Sequence, residues 1–288
     1  FAQNAYFILL MIASFSIPQA VSKIMSERIA FKRYRDAQRV FKGALLYAVI
    51  AGGIAALVCI FGASILVPDN MANARLALQM LAPTIFVSGI LGVFRGYFQA
   101  YRNMLPTSIS QILEQIAVAT VALLASGFMV HHFANAGEDT LQRWSAAGAT
   151  MGTGAGVCTA FLFMLFVYRV NHKTIAKKIK NDRVSVNESY RSIMKIILLI
   201  AAPIILSAFI YNVNGYINGV MYTSILGWKG VSNSLVKQNY AEYGFFMTLI
   251  NIPLTLASTA PTSMMPEVSA QYAIGDLEET KRKIDQAT

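Results

Sequence analysis

The amino-acid sequence predicts an all-α integral membrane protein, a polytopic bundle of seven transmembrane helices. Long apolar stretches divide the chain, and almost every positive charge lies in alternate gaps between them. A helix needs about 20 apolar residues to cross a hydrocarbon core of roughly 30 Å, and a helix satisfies its own backbone in lipid. The predicted spans are Ala5–Val21, Phe41–Val67, Leu76–Phe94, Thr107–Val130, Trp144–Tyr168, Ile196–Tyr222 and Tyr243–Met265.

The distribution of lysine and arginine predicts the orientation of these spans. Most of the 24 basic residues lie in the gaps 23–42, 95–106 and 169–195 and in the tail at Lys281–Lys283. Because basic residues mark the cytoplasmic side, we expect these segments in the cytoplasm of a bacterial cell, with the spans in its plasma membrane. The formal charge of +10 then reflects orientation in the lipid bilayer and attraction to its headgroups. We expect no nucleic-acid partner.

The two ends of the sequence suggest an internal fragment of a longer protein. Phe1 is followed by the polar residues Gln3 and Asn4, with no basic segment of the kind that begins a signal peptide. The polar segment Gly275–Thr288 resembles a loop that precedes another helix. We therefore expect the chain to begin inside a helix.

A single carboxylate lies deep within the fourth predicted span. If Pro106 opens that helix, Glu114 lies about 12 Å along its axis. Gln111 and Gln115, together with Ser108, follow at helical spacing and give this half of the helix a polar stripe. An ionisable residue at membrane depth is by default a functional candidate, here for ion coupling or gating.

The alternative interpretation of Glu114 is structural. Arg95 and Arg102 end the preceding span, close enough in sequence for an ion pair with Glu114. The two interpretations are compatible, since an ion pair that breaks during transport would serve both.

Polar residues also interrupt the last two predicted spans. Asn214 and Asn218 lie four residues apart near the end of the sixth span, where they either bond neighbouring helices or line a hydrated path. In the seventh span, Asn251 precedes Pro253, and proline bends a helix by removing a backbone donor. That span is either a gating helix or a statically kinked one.

Small residues indicate close helix packing in the fifth span. Gly148, Gly152 and Gly156 recur every four residues, a spacing that lets helices approach closely in lipid. No strand precedes this glycine cluster and no lysine follows it, which argues against a nucleotide-binding loop. The sequence also has no Cys/His metal set and no catalytic arrangement, so we expect neither a metal, nor a cofactor, nor an enzyme.

One segment resembles a known family. The run from Gly92 to Gln115, with Arg-Gly-Tyr-Phe-Gln followed by Pro-Thr-Ser-Ile-Ser-Gln-Ile-Leu-Glu-Gln, is similar to a helix-turn-helix of the polysaccharide-export branch of the MOP flippase superfamily. Within it the chain resembles the group of stage V sporulation protein B, YtgP and MurJ-like lipid II flippases. Residues 16–27, 249–254 and 265–269 resemble the same group.

This resemblance implies helices two to eight of a fourteen-helix, two-lobe transporter. Residues 1–170 would form most of the N-lobe, 171–195 a basic cytoplasmic inter-lobe loop, and 196–288 the start of the C-lobe. The family's cavity arginines have no counterpart in the first and seventh spans, so they are not carried over. The cations available here for a pyrophosphate are Lys23, Arg28, Arg95 and Arg102.

The resemblance implies a flippase for an undecaprenyl-pyrophosphate-linked glycan, with lipid II as the first choice and a coupling cation or proton as a further partner. The lobes would rock around a hydrated cavity to give alternating access, with Asn214 and Asn218 meeting the glycan. The alternatives are a cation-coupled multidrug antiporter of the MATE type, a membrane glycan polymerase or ligase, and a non-transport component of cell-wall or spore-coat assembly.

Overall fold

The computed structural model describes residues 6, 10, 17–67, 74–134, 137–186, 188–232, 234–236, 238–253, 268 and 276–287. Its named helices, numbered in chain order, are α1 (Ile17–Ala30), α2 (Tyr34–Phe61), α3 (Ala63–Leu66), α4 (Ala74–Ala100), α5 (Leu105–His132), α6 (Glu138–Lys180), α7 (Tyr190–Trp228) and α8 (Leu277–Ala287). Residues 234–236 and 238–253 are also helical, and no strand occurs within the described part.

Five helices of the described residues are long and apolar enough to cross a membrane, namely Tyr34–Phe61, Arg75–Ala100, Leu105–His132, Thr140–Lys180 and Tyr190–Ser207. They coincide with the second to sixth predicted spans, which confirms the all-α membrane class. The first predicted span lies mostly outside the described residues, and the seventh is described only as far as residue 253. The number seven therefore stays a prediction.

The chain divides into two units, Phe1–Asn218 and Gly219–Thr288. In the first unit α4 is central: it packs against α1, α2 and α6, while α5 packs mainly against α6. The outer face of α5 is strongly apolar and uncovered, with Leu123 76% and Leu124 70% exposed. Such a face suits contact with lipid chains rather than with water.

An aromatic cluster joins α2, α4 and α6 in the core of this unit. The ring of Phe41 lies 5.5 Å from Phe94 in an edge-on arrangement, 4.7 Å from Tyr97 and 5.5 Å from Tyr168. Edge-to-face and offset pairs at these distances add to the energy of burying the rings. Phe94 and Tyr97 flank Arg95 in α4, so the cluster packs the part of α4 that carries this residue of the candidate site described below.

Three glycines allow helices to pack in close contact. A Cβ on Gly156 would lie 2.8 Å from the backbone oxygen of Glu114, and one on Gly152 would lie 2.6 Å from the backbone oxygen of Val118. The predicted small-residue packing of this span is thus confirmed, with α5 as the partner. Gly96 does the same for α4, where an added Cβ would lie 2.7 Å from the backbone oxygen of Pro18 in α1.

Helix α6 has 43 residues, a length of about 65 Å, which exceeds the hydrocarbon core twofold. It continues past the predicted span to Lys180, so the basic segment that begins at residue 169 is helical for its first half. Good helix formers such as Ala and Lys fill this extension, and Lys177, Lys178 and Lys180 stabilise the negative end of the helix dipole. The described residues between α6 and α7, 181–186 and 188–189, are not helical and are called here the 181–189 loop.

The second unit contains a cluster of tyrosines. The ring of Tyr222 stacks on Tyr243 at 6.0 Å and lies 6.0 Å from Tyr240. Gly219 allows this approach, since a Cβ there would lie 2.5 Å from the Tyr240 hydroxyl oxygen. Tyrosines of this kind are typical of the membrane–water boundary.

Candidate functional site

An ion pair between α4 and α5 forms the first part of the candidate site. Arg95 Nη2 donates to Glu114 Oε2 at 2.6 Å, and the two side chains are 15% and 18% exposed. Arg95 Nε donates to Ser110 Oγ at 3.0 Å, and that hydroxyl donates to the backbone oxygen of Thr107 at 2.7 Å. The guanidinium is therefore fixed by two bonds on one side. Of the two expected pairings of Glu114, the structure has the one with Arg95.

Helix α6 packs against this ion pair as the third helix around it, beside α4 and α5. Because Gly156 has no side chain, its helix reaches the backbone of Glu114, and Val118 packs one turn further along. The ion pair thus lies where three helices meet. Burial of this kind makes the pair costly to leave half-formed, since either charge alone would be poorly solvated.

The predicted polar stripe of α5 lies beside the ion pair. Gln111 and Gln115 are exposed, as is Ser108 on the same flank of the helix. They lie next to Glu114 on the helical surface, and no hydrogen bond joins them to Arg95 in the described part. Ile112 and Ile116 are also exposed, 59% each, so this helix presents a polar flank beside an apolar one.

Two further cations from the sequence analysis are accessible. Arg102 is exposed in the turn between α4 and α5, with a left-handed backbone at φ 58°. Lys23 is exposed on α1. Neither forms an ion pair with a carboxylate within the residues that the structure describes. Both are free to meet an anion without first releasing an internal partner.

Arg28 is not accessible in the same way, since its side chain is engaged inside the protein. It is 8% exposed. Its Nη2 donates to Glu188 Oε2 at 2.7 Å, and its Nη1 donates to the backbone oxygen of Ile24 at 3.0 Å. Glu188 belongs to the 181–189 loop, and its other oxygen accepts from Arg33 Nη2 at 2.7 Å. One carboxylate thus holds two arginines of the α1–α2 segment.

A buried aspartate holds the far half of the same loop. Asp36, which is 0% exposed, accepts the backbone N–H groups of Val186 at 3.0 Å and Glu188 at 3.1 Å. Its carboxylate also accepts from Arg33 Nε at 2.9 Å. Backbone N–H groups in a loop have no helix or strand partner and need another acceptor. The carboxylate of Asp36 supplies it for two of them and so fixes the path of the loop.

Asp182 holds the near half of the loop. Its Oδ2 accepts from the backbone N–H of Arg35 at 2.7 Å and from Ser185 Oγ at 2.6 Å, while its Oδ1 accepts the backbone N–H of Val184 at 2.8 Å. Burial opposes ionisation of this group, but the hydrogen bonds from Ser185 and the backbone amides outweigh it and hold the pKa of Asp182 well below its usual range. The loop is therefore bound to the α1–α2 segment by two carboxylates that are charged at neutral pH.

These acids were missed as site residues in the sequence, where they count only as a minority of acids in basic gaps. The sequence feature that could have identified them is that they are the few acids in otherwise basic segments. Asp36, Asp182 and Glu188 are acids placed among many cations, and each accepts bonds from the other gap.

The remaining predicted site residues lie elsewhere. Asn214 and Asn218 are exposed on α7, at the end of the first unit. Asn251 and Pro253 are exposed in the helical run 238–253 of the second unit. The rest of the predicted seventh span, which follows Pro253, lies outside the described residues. Among those described, no three His, Cys, Asp or Glu side chains converge as a metal site would require.

The helices, their lipid-facing surfaces and the basic gaps define a multi-pass protein of the cell membrane. Residues 1–270 match the family model described as "Polysaccharide biosynthesis protein", and the chain belongs to that family. The resemblance to the polysaccharide-export branch of the MOP flippase superfamily, expected from residues 92–115, is thereby confirmed.

Three proteins of Bacillus subtilis (strain 168) are similar over nearly the whole chain. Stage V sporulation protein B is 25% identical over 295 residues, which are 99% of this chain and 54% of that protein. Lipid II flippase MurJ is 22% identical, over 99% of this chain and 54% of its own length. Uncharacterized membrane protein YabM is 22% identical, over 96% and 50%. The chain thus spans about half the length of the curated relatives it matches, and no solved structure matches it significantly.

Proposed function

We propose that the protein containing this chain is a flippase that moves an undecaprenyl-pyrophosphate-linked glycan, with lipid II as its substrate, across the cell membrane by alternating access. Residues 1–170 contribute to its N-lobe and 196–288 to its C-lobe, with the basic gaps in the cytoplasm. The observation that carries the proposal is the Arg95–Glu114 ion pair where α4, α5 and α6 meet. Membership in the polysaccharide biosynthesis family and the likeness to a lipid II flippase support it.

The physical problem is to carry a charged, hydrated headgroup through hydrocarbon while its polyprenyl tail remains in lipid. A diphosphate carries more negative charge than a carboxylate and offers oxygens in the geometry that a guanidinium fork prefers. It can therefore replace a carboxylate as the partner of an arginine. Arginines that are held by carboxylates before the substrate binds are suited to such an exchange.

Arg102 and Lys23 would be the first cations to meet the headgroup, because both are exposed and lack an internal carboxylate partner in the described part. Arg95 would follow, exchanging Glu114 for a phosphate oxygen. Arg28 can take part only after Glu188 has released it, which requires the 181–189 loop to leave the α1–α2 segment. Substrate binding would in this way be linked to opening at the cytoplasmic end.

Glu114 would act as the coupling group of the cycle. When Arg95 binds phosphate, the carboxylate of Glu114 loses its partner at membrane depth and takes up a proton or a cation. Gln111 and Gln115 lie on the adjoining flank of α5. Their amide groups would hold water beside Glu114 during that exchange. Asn214 and Asn218 would bond the glycan or its peptide, and bending at Asn251–Pro253 would gate the opposite end.

A cation-coupled antiporter is the second candidate function. It needs a deep carboxylate that is ready to bind a cation, and Glu114 is such a residue by position. Its 2.6 Å contact with Arg95 disfavours this function, since a cation would have to displace the guanidinium of Arg95, which its own side chain keeps close to Glu114.

The decisive experiment uses the full-length protein in cells that depend on it. Its depletion is expected to cause lipid II to accumulate in the cytoplasmic leaflet, as measured by extraction and by labelling of externally accessible lipid II. Arg95→Ala and Glu114→Gln are each expected to reproduce that accumulation, and Arg95→Lys is expected to restore part of the activity. Arg169→Ala, which removes an exposed arginine of α6, is the matched control and should transport normally.

Two results would contradict the proposal. Unchanged lipid II levels on depletion would exclude lipid II as the substrate. Resistance to cationic dyes on expression of the protein would favour the antiporter. Normal transport by both Arg95→Ala and Glu114→Gln, at normal protein levels, would remove the ion pair from the mechanism.

A further inference from the structure

A cleft of about 450 Å³ opens between the turn that follows α1 and the end of α6. Its lining includes four cations, Lys32, Lys177, Lys178 and Arg183, and one carboxylate, Asp182. It lies apart from the Arg95–Glu114 ion pair, none of whose residues reaches it. A concave surface that carries mostly one sign of charge concentrates the field of its groups and attracts an ion of the opposite sign.

The single carboxylate of the cleft does little to neutralise these cations. Asp182 is 5% exposed, and its oxygens accept hydrogen bonds from the backbone of Arg35 and from the residues of its own loop. Lys32, Lys177 and Arg183 form no ion pair with any carboxylate among the described residues. The cleft therefore keeps a surplus of positive charge that only an anion from outside would balance.

Lys178 is held in position by aromatic rings instead of a carboxylate. Its ammonium nitrogen lies 5.9 Å from the ring centre of Tyr34 and 5.7 Å from that of Tyr101. Both distances allow an attraction between the cation and the ring faces. The charge of Lys178 is thus oriented without being cancelled, as a binding site for an anion requires.

Lys32 occupies a backbone position that favours glycine. Its φ is 59°, and its N–H bonds the backbone oxygen of Ile29 at 2.9 Å as the chain leaves α1. Side chains with a Cβ are disfavoured in this left-handed conformation, and glycine is the usual residue after a helix that ends in this way. A lysine here costs stability and supplies a charge to the cleft, which indicates that the charge has a use.

The level of the cleft along α6 identifies what it can meet. Lys177 lies about 14 Å along the helix beyond Tyr168, where the predicted span ends. The headgroup layer extends only about 5–8 Å beyond the hydrocarbon on each side. The backbone of Lys177 therefore lies about 6–9 Å beyond the headgroup layer. Soluble phosphates reach the cleft directly there, and lipid phosphates reach it through the length of the lysine side chains and a tilt of α6.

We propose that this cleft is a binding site for a phosphate-bearing anion at the cytoplasmic surface. Lys32 and Lys177 contact the phosphate oxygens, Arg183 adds a planar fork from the 181–189 loop, and Lys178 supplies a fixed charge from the rear wall. The ligand would bind the turn after α1 and the loop at once and hold them together. The site does not depend on the proposed transport activity, and it is tested by binding alone.

The test measures binding to the purified full-length protein. Calorimetric titration in detergent with sodium diphosphate reports the soluble source. Native mass spectrometry with added phosphatidylglycerol, against phosphatidylcholine as the neutral reference, reports the lipid source. We expect saturable binding of at least one of the two anions, and the arm that binds more tightly identifies the source.

The variants are Lys32→Gly and Lys177→Gln. Each is expected to lower the affinity for the anion about fivefold, the usual effect of removing one basic residue near a phosphate surface. Lys32→Gly also removes the backbone strain, so its thermal unfolding midpoint should be equal or higher, which separates lost binding from lost folding. The matched control is Lys173→Gln, an exposed lysine of the same helix that does not line the cleft.

The proposal is overturned if neither diphosphate nor phosphatidylglycerol binds saturably. It is equally overturned if Lys173→Gln weakens binding as much as Lys177→Gln, because the effect would then be general surface charge. If Lys32→Gly lowers the unfolding midpoint, Lys177→Gln decides the question. Lys177→Gln should leave lipid II transport unchanged in the depletion assay, because Lys177 lines only this cleft, so failure of this site and failure of the flippase proposal remain distinguishable.

Discussion

Arg28 and Glu188 form a 2.7 Å ion pair although 160 residues separate them in the chain. Glu188 also binds Arg33 at 2.7 Å, and the arginine side chains are 9% and 23% exposed. The pair joins the first described helix to the connection between α6 and α7. Together with the contacts of Asp36 and Asp182, it holds the 181–189 loop against the α1–α2 segment.

Glu188→Gln is expected to lower the stability of the protein by about 1–3 kcal/mol, because it leaves two partly buried guanidinium groups without a counter-charge. Thermal unfolding in detergent measures the change. Glu27→Gln is the matched control: Glu27 also lies near Arg28, but at 3.9 Å and with 55% of its side chain exposed. Its effect should stay within about 0.5 kcal/mol, and equal effects of the two variants would contradict the assignment.

The stability contributed by Asp182 should depend on pH in a defined direction. Its pKa is lower in the folded protein than the usual value of about 3.9 for an aspartate. The contribution is therefore complete above about pH 4 and is lost as the pH falls from there through the folded value. We expect the difference in unfolding midpoint between the natural protein and Asp182→Asn to be constant from pH 7 to pH 5 and to shrink below pH 4.

Measuring that difference cancels the other acids, since they titrate in both proteins. A difference that shrank between pH 7 and pH 5 instead would mean that a group with a higher pKa, and not Asp182, controls the loop.

Gly156→Ala should destabilise the contact between α5 and α6. The new Cβ would lie 2.8 Å from the backbone oxygen of Glu114 and would collide with the side chain of Val118. Overpacking of this kind costs about 1–3 kcal/mol. Gly127→Ala in α5 meets nothing within 4 Å and should be neutral or slightly stabilising, since alanine favours helix. Comparable losses in both variants would show that the close approach at Gly156 is not what the glycine provides.

The Arg95–Glu114 pair should give a positive coupling energy in a double-mutant cycle. Arg95→Ala and Glu114→Ala each leave one partly buried charge without its partner, whereas the double variant removes both charges. We expect the double variant to be more stable than the sum of the single losses predicts, by about 0.5–3 kcal/mol. Purely additive losses in unfolding experiments would indicate that the 2.6 Å contact contributes nothing.

The membrane class and much of the bundle could be predicted from the sequence because they depend on local patterns. Apolar length predicted the spans of α2, α4, α5, α6 and α7, and four-residue spacing predicted the packing of Gly152 and Gly156. The pairing of Glu114 with Arg95 was also within reach, because the two lie 19 residues apart across a single short turn. In each case the chain itself brings the partners together.

The contacts of the 181–189 loop could not be predicted in this way. Asp36 and Val186 are 150 residues apart, and Arg35 and Asp182 are 147 apart. No periodicity along the chain encodes such a pairing, since it depends on where α6 ends in space. The same uncertainty explains the predicted loop at 171–195: its basic composition indicated exposure to water, and exposure is compatible with the helix that continues to Lys180.

Because α6 is long, a small tilt of this helix moves its ends by a large distance. A tilt of about 10° around its midpoint would displace either tip by about 6 Å, more than a hydrogen bond can stretch. A rocking that tilts α6 relative to α2 would thus pull Asp182 away from the amide of Arg35, so a movement in the middle of the membrane would become a release at the end of α6. Spin labels on Asn181 and Lys32 would report that release as a change in their separation.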